Sequence, residues 1–82
     1  MNPVEVSLIE TGVGSLTRRE AEIIYLMSEG KSGKEIAASL HLSVHTVQKH
    51  TKNIYRKLQV HNKIEAINKT KWLVASLYRN RN

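Results

Sequence analysis

No cysteine and no aspartate occur among the 82 residues. The first absence excludes a disulfide framework, a thiolate metal site and a thiol nucleophile. The second leaves glutamate as the only carboxylate, and Glu20 and Glu22, two apart on an expected helix, face different ways. Ser32 and Ser43 sit at helix starts with no base beside them, as caps rather than nucleophiles. Gly12-Val13-Gly14 lacks the flanking strand and helix of a phosphate cradle. His41, His45 and His50 do not form the one-turn histidine pair of a helical zinc site, since His41 falls in a turn and the other two diverge. No catalytic residue, no metal site and no cofactor is expected, and the chain does not read as an enzyme. No apolar run approaches the length of a membrane span. The N-terminal MNPVEVSLIE lacks the basic-then-apolar order of a secretory signal, so a cytoplasmic protein with no membrane partner is the expectation. Asn68-Lys69-Thr70 fits the glycosylation pattern, but it falls mid-helix and is read as a chance match.

A chain of this length makes one small domain. The formal net charge is +6, and its distribution is uneven. Residues 1–30 hold two arginines against five glutamates, a net of −3, and residues 31–82 hold eleven Lys and Arg against two glutamates, a net of +9. A basic half points to a polyanionic partner, although a Lys-rich surface also serves solubility, and charge alone does not decide between them.

Residues 1–15 hold the only proline and two of the four glycines and show no helical repeat, which reads as a flexible N-terminal arm or linker. From Leu16 the helix-start signals recur. Thr17 with Glu20 and Ser32 with Glu35 have the capping-box form, Asn62 with Glu65 is a looser version, and Ser43 caps without a returning acid. Gly30 is placed to end the first helix. Four helices are predicted, at about 18–28, 33–40, 44–58 and 63–78, in a domain spanning about 16–79. The fold class is all-α. The predicted core draws on Leu16, Ile23, Leu26 and Met27, then Ile36, Ala37 and Leu40, then Leu42 in the turn, then Val47, Ile54 and Leu58. Ala37 is small where two helices cross closely, which suits a helix-turn-helix.

The third helix carries the functional signal. Val47, Thr51, Ile54 and Leu58 form one stripe of 3.6-residue period. His45, Gln48, Lys49, Lys52 and Arg56 form another, with hydrogen-bonding tips, three formal positive charges and no acid. A solubility helix would mix signs to gain pairs one turn apart. A rod of about 22 Å with one apolar and one cationic flank suits the major groove of DNA.

These residues resemble the LuxR-type (NarL/FixJ-like) DNA-binding domain of bacterial transcription regulators. The likeness runs from Leu16 to Ile67 and rests on pieces spread over all four helices: Leu16-Thr17, Arg19-Glu20, Gly30, Lys34-Glu35-Ile36-Ala37, Ser43, Thr46-Val47, His50, Asn53-Ile54, Lys57-Leu58, Val60 and Glu65-Ala66. It implies a four-helix fold whose third helix reads DNA and whose fourth often dimerises. It implies sequence-specific binding of double-stranded DNA near promoters, by the effector domain of a response regulator or by a stand-alone regulator. The family's base-contacting positions fall on Gln48, Lys49 and Lys52, and its phosphate-contacting positions on Thr46 and the residues around Ser32 to Lys34. Gln48, Gly33 and Lys63 depart from the usual Lys or Arg, Asn, and Arg. Lys63 cannot make the bidentate carboxylate pair of an arginine, which would weaken any buried pair with Glu20.

The expected base contacts are therefore Gln48, Lys49, Lys52 and His45, and the expected phosphate contacts are Thr46, Lys34, Ser32, Lys31 and Arg56. The fourth helix has two apolar stripes, Ile64 with Ile67 and Val74, and Ala66 with Leu73 and Leu77. One closes the core and one is free, so a homodimer through Ala66, Thr70, Leu73 and Leu77 is expected. RNA polymerase is a further candidate partner. The rival reading is a protein-interaction module that uses the fourth helix to titrate another regulator.

Overall fold

Each helix begins where a side chain satisfies the first free backbone N–H groups. The computed structural model describes residues 13–71. A 3-10 turn at Val13–Ser15 leads into α1 (Arg18–Ser28), α2 (Gly33–Leu40), α3 (Val44–Leu58) and α4 (Lys63–Lys69), and no strand occurs among the described residues. Thr17 Oγ1 accepts from the Glu20 N–H at 3.1 Å while the Thr17 N–H donates to Glu20 Oε1 at 2.9 Å. Ser32 and Glu35 repeat that box at the start of α2. Asn62 Oδ1 accepts from the Glu65 N–H at 2.9 Å, but the Glu65 carboxylate reaches one residue further back, to the His61 N–H.

The ends of α1, α2 and α3 share one geometry. The Lys31 N–H donates to Leu26 O and the Gly30 N–H to Met27 O, with Gly30 at φ 84°, which closes α1 in a Schellman turn. His41 at φ 56° and Gln59 at φ 57° close α2 and α3 in the same way without glycine's freedom. In the α2–α3 turn the Leu42 N–H reaches back to Ala37 O at 2.9 Å, and Leu42 is half-buried against the core.

The core is built from Ile23, Ile24 and Met27 of α1, Ile36 and Ala37 of α2, Val47, Ile54 and Leu58 of α3, and Ala66 of α4. α3 packs against each of the other helices, and α4 packs against α1 and α3. Leu16, Leu26, Leu40 and Leu42 contribute partly buried surface at its edge. Thr51 lies within the apolar stripe of α3 because its hydroxyl donates to Val47 O at 2.8 Å.

The expected faces of α4 are corrected. Ala66 and Thr70, expected on a dimer seam, are fully buried within the chain. Ala66 is small enough for α4 to approach its neighbours closely, and the Thr70 hydroxyl is satisfied by Ala66 O at 2.7 Å. Neither offers surface to a partner, and Ile64, expected in the core, is 71% exposed. The continuation of the fourth helix to 78, with Trp72, Leu73, Val74 and Leu77, lies outside the described residues.

Glu20 is buried at 3% exposure. Its partner is Lys57 of α3, at 2.7 Å, and not Lys63. The Lys57 ammonium also donates to Ser15 O at 3.1 Å, so it ties the lead-in of α1 to the last turn of α3. Burial alone would raise the Glu20 pKa. The hydrogen bonds from Lys57 and the Thr17 backbone outweigh it and hold the carboxyl below its ordinary value. Lys63 instead donates to Lys31 O at 3.0 Å. Among the described residues no buried side-chain nitrogen or oxygen lacks a partner, and no helix is long and apolar enough to cross a membrane.

Candidate nucleic-acid interface

The α2–turn–α3 unit positions the site. Ser43 Oγ accepts from the Thr46 N–H at 3.0 Å and donates its own proton to Thr46 Oγ1 at 2.9 Å, which fixes the first turn of α3. The inner flank is then anchored by Val47, Ile54 and Leu58, each at most 2% exposed. Side chains about 100° apart along a helix leave the opposite flank in solvent. His45, Gln48, Lys49, Lys52 and Arg56 are all exposed there. Val44, to which periodicity assigned no role, is 38% exposed in the first turn of α3, at the border between the two flanks.

The remaining expected residues divide. Lys34 is exposed in the first turn of α2, and Ser32 is exposed immediately before it. Ser32 Oγ accepts within the capping box, which leaves its proton free to donate to an anion. Thr46 is half-exposed, and because its oxygen accepts from Ser43 its own proton is likewise available. Lys31 is half-buried, and its carbonyl is engaged by Lys63. His50 sits half-buried at the core edge, and His41 is exposed in the turn. Among the described residues no group of three or more histidines and glutamates is placed to hold a metal ion.

The electrostatics follow from this placement. No acid lies on α3. Lys34, Lys49, Lys52 and Arg56 form no ion pair among the described residues. Glu35, next to Lys34 in sequence, faces the backbone N–H of Ser32, whose hydrogen bond holds its pKa below the ordinary value. The outer flank can therefore do two things: attract an anion over its whole length, and offer an amide, two ammonium groups and an imidazole to groups that carry donors and acceptors.

Sequence reasoning missed the internal use of lysine. Lys57, Lys63 and Lys69 each end on a backbone carbonyl, those of Ser15, Lys31 and Leu58 respectively. The half-buried position of all three is the sign of it, and periodicity on α3 gives only a partial hint by placing Lys57 off the outer stripe.

Comparison with known proteins fits this arrangement. Residues 14–70 match the family described as bacterial regulatory proteins, luxR family. The chain is similar to the uncharacterized response regulatory protein YgeK of Escherichia coli (strain K12), with 54% identity over 52 residues, covering 63% of this chain and 35% of that protein. It is also similar to the response regulator protein VraR of Staphylococcus aureus (strain Mu3 / ATCC 700698), with 42% identity over 52 residues, covering 63% of this chain and 25% of that protein. VraR of Staphylococcus saprophyticus gives the same figures. The matched segment thus spans about a third or a quarter of the length of these curated relatives.

Proposed function

Since this chain belongs to the luxR family of bacterial regulatory proteins and folds as a helix-turn-helix domain, we propose that it binds double-stranded DNA with sequence preference and regulates transcription. One observation carries the reading: the outer flank of α3 is cationic, acid-free and exposed while its inner flank is locked in the core. That is the geometry of a recognition helix lying in a major groove.

The roles divide along the flank. Gln48 offers both an acceptor and a donor, which pair with adenine N6 and N7. Lys49 and His45 meet base edges beside it, and Lys52 meets a base or a phosphate. Thr46, Ser32, Lys34, Lys31 and Arg56 meet phosphate oxygens, which supply most of the affinity and the salt dependence but no sequence choice. Two copies would set their third helices about one helical turn apart on DNA. Relatives named as response regulators support a place for this domain downstream of a signal-receiving unit, in the cytoplasm where the DNA lies.

Selection of duplexes from a randomised library tests the reading. The expected result is an enriched site whose discrimination falls by about 1–3 kcal/mol in Gln48→Ala at one base pair. Failure to enrich any duplex at low ionic strength contradicts it. Ile64, exposed on α4, favours one second reading, a module that binds another regulator through that helix. Under that reading Lys49→Glu with Lys52→Glu leaves activity intact.

A further inference from the structure

Ser32 and Lys34 stand where the α1–α2 loop turns into α2, and the backbone of that loop is bonded at every step. The Gly30 N–H donates to Met27 O, the Lys31 N–H to Leu26 O and the Ser32 N–H to Glu35 Oε1. The Ser32 carbonyl accepts from the Ile36 N–H at 2.9 Å. Each of these bonds joins residues no more than five apart in sequence. They set the shape of the loop and leave its place on the domain open. Apolar burial does not supply that place either, because no residue from Ser28 to Glu35 is buried. The buried residues of α2, Ile36 and Ala37, come only after its first turn.

One bond is of another kind. The Lys31 carbonyl accepts from Lys63 Nζ at 3.0 Å, across 32 residues. Lys63 is the first residue of α4, a helix that packs against α1 and α3. Its bond therefore ties the exposed start of α2 to the body of the domain. The ammonium also lies close to the first turn of α2. The hydrogen bonds from Ser32 hold the Glu35 carboxyl below its ordinary value, and the charges of Lys31 and Lys63 add to that effect. Lys63 is half-buried and committed to the loop, whereas Lys34 is exposed and forms no ion pair among the described residues. Phosphate contacts fix how a protein is seated on the duplex, so the start of α2 has to be held in register with α3.

We propose that Lys63 is a positioning residue for DNA binding: by holding the Lys31 carbonyl it sets the start of α2 where Ser32 and Lys34 meet phosphates while α3 lies in the groove, and it does not contact the DNA itself. The inference rests on the DNA-binding reading above and adds to it a residue outside the interface.

The test is fluorescence anisotropy with the full chain and a labelled duplex enriched by it from a randomised library, over a salt series. Wild type is compared with Lys34→Ala, with Lys63→Met and with the double substitution. Methionine keeps the stem and removes the donor. Lys34→Ala should weaken binding roughly fivefold near about 0.15 M salt and flatten the log–log slope by about one unit, as for one lost phosphate. Lys63→Met should approach the same loss. In the double substitution the slope should stay about one unit flatter than wild type, not two, and the affinity loss should fall well short of the product of the single losses, because the contact that Lys63 supports is already gone. Lys63→Arg, which keeps a donor, should restore affinity and slope. Lys63→Ala, which removes the donor by a second route, should match Lys63→Met. Circular dichroism melts give the folded fraction to which each affinity is referred, so a loss of stability alone does not imitate the coupling to Lys34. Wild-type binding by Lys63→Met overturns the proposal, as does a slope about two units flatter in the double substitution, which an independent phosphate contact would give. Wild-type binding by Lys34→Ala overturns it as well, since no phosphate then meets this end of α2. If wild type binds no duplex, the DNA-binding reading fails and takes this one with it.

Discussion

Lys57, Lys63 and Lys69 end on oxygens of their own chain, whereas Lys34, Lys49, Lys52 and Arg56 end in solvent. Sequence composition makes no distinction between the two groups. The first group holds the helices together: Lys57 joins Glu20 and Ser15 to α3, Lys63 joins α4 to the α1–α2 loop, and Lys69 bonds the last carbonyl of α3. The second group lies along α3 and at the start of α2 with no acid paired to it among the described residues. Among the described residues, three of the positive charges in the basic half thus serve the fold. Net charge overstates what is available to a polyanion, and the positions of the ammonium groups give the corrected figure.

Substitutions should separate the two groups. The largest stability effect is expected at Lys57, because Lys57→Ala leaves the buried Glu20 carboxylate without its cation. A fully buried pair broken on one side costs about 3–5 kcal/mol, and the partial exposure of Lys57, at 22%, reduces that to roughly 2 kcal/mol. Urea denaturation should show it, and the salt dependence of DNA binding by the folded fraction should stay as in wild type. An unchanged urea midpoint would remove Lys57 from the structural group.

The same pair sets an acid limb. The folded pKa of Glu20 lies below its ordinary 4.5, so its contribution is present in full above that value and fades as pH falls through the lower, folded one. Urea midpoints should therefore decline on acidification from about pH 6 to pH 3, and Lys57→Ala should decline less steeply. Equal slopes would mean that Glu20 is not held by Lys57.

Lys69→Ala removes one hydrogen bond at the C-terminal end of α3 and should cost about 0.5–1 kcal/mol. The smallest stability effect belongs to the outward group. Lys49→Ala with Lys52→Ala should change the urea midpoint by less than about 0.5 kcal/mol in equivalent free energy. A larger loss would show that these side chains carry part of the fold.

Legibility in the sequence follows distance along the chain. The starts of α1, α2, α3 and α4 are written within three residues, as a cap and, in three cases, a returning glutamate, and they stand where the sequence places them. The two flanks of α3 are equally legible, since periodicity within one helix needs no knowledge of its neighbours. The partner of Glu20 is 37 residues away, and its choice of Lys57 over Lys63 depends on how α1 and α3 cross. The orientation of α4 was ambiguous for a related reason. Ala66 and Ile64 both offer an apolar stripe, and the close approach to α1 and α3 selects the smaller residue. Internal lysines are the hardest case, because a carbonyl acceptor at the end of another helix leaves no mark in sequence.

The central claim is that the exposed cationic flank of α3, and not the charge of the chain as a whole, meets DNA. Fluorescence anisotropy of a labelled enriched duplex, titrated with wild type and with Lys49→Ala plus Lys52→Ala over a series of salt concentrations, tests it most directly. Affinity should fall at every salt concentration, and with Lys52 on a phosphate the log–log salt slope should flatten by about one unit. The same slope and affinity in both proteins would contradict the account.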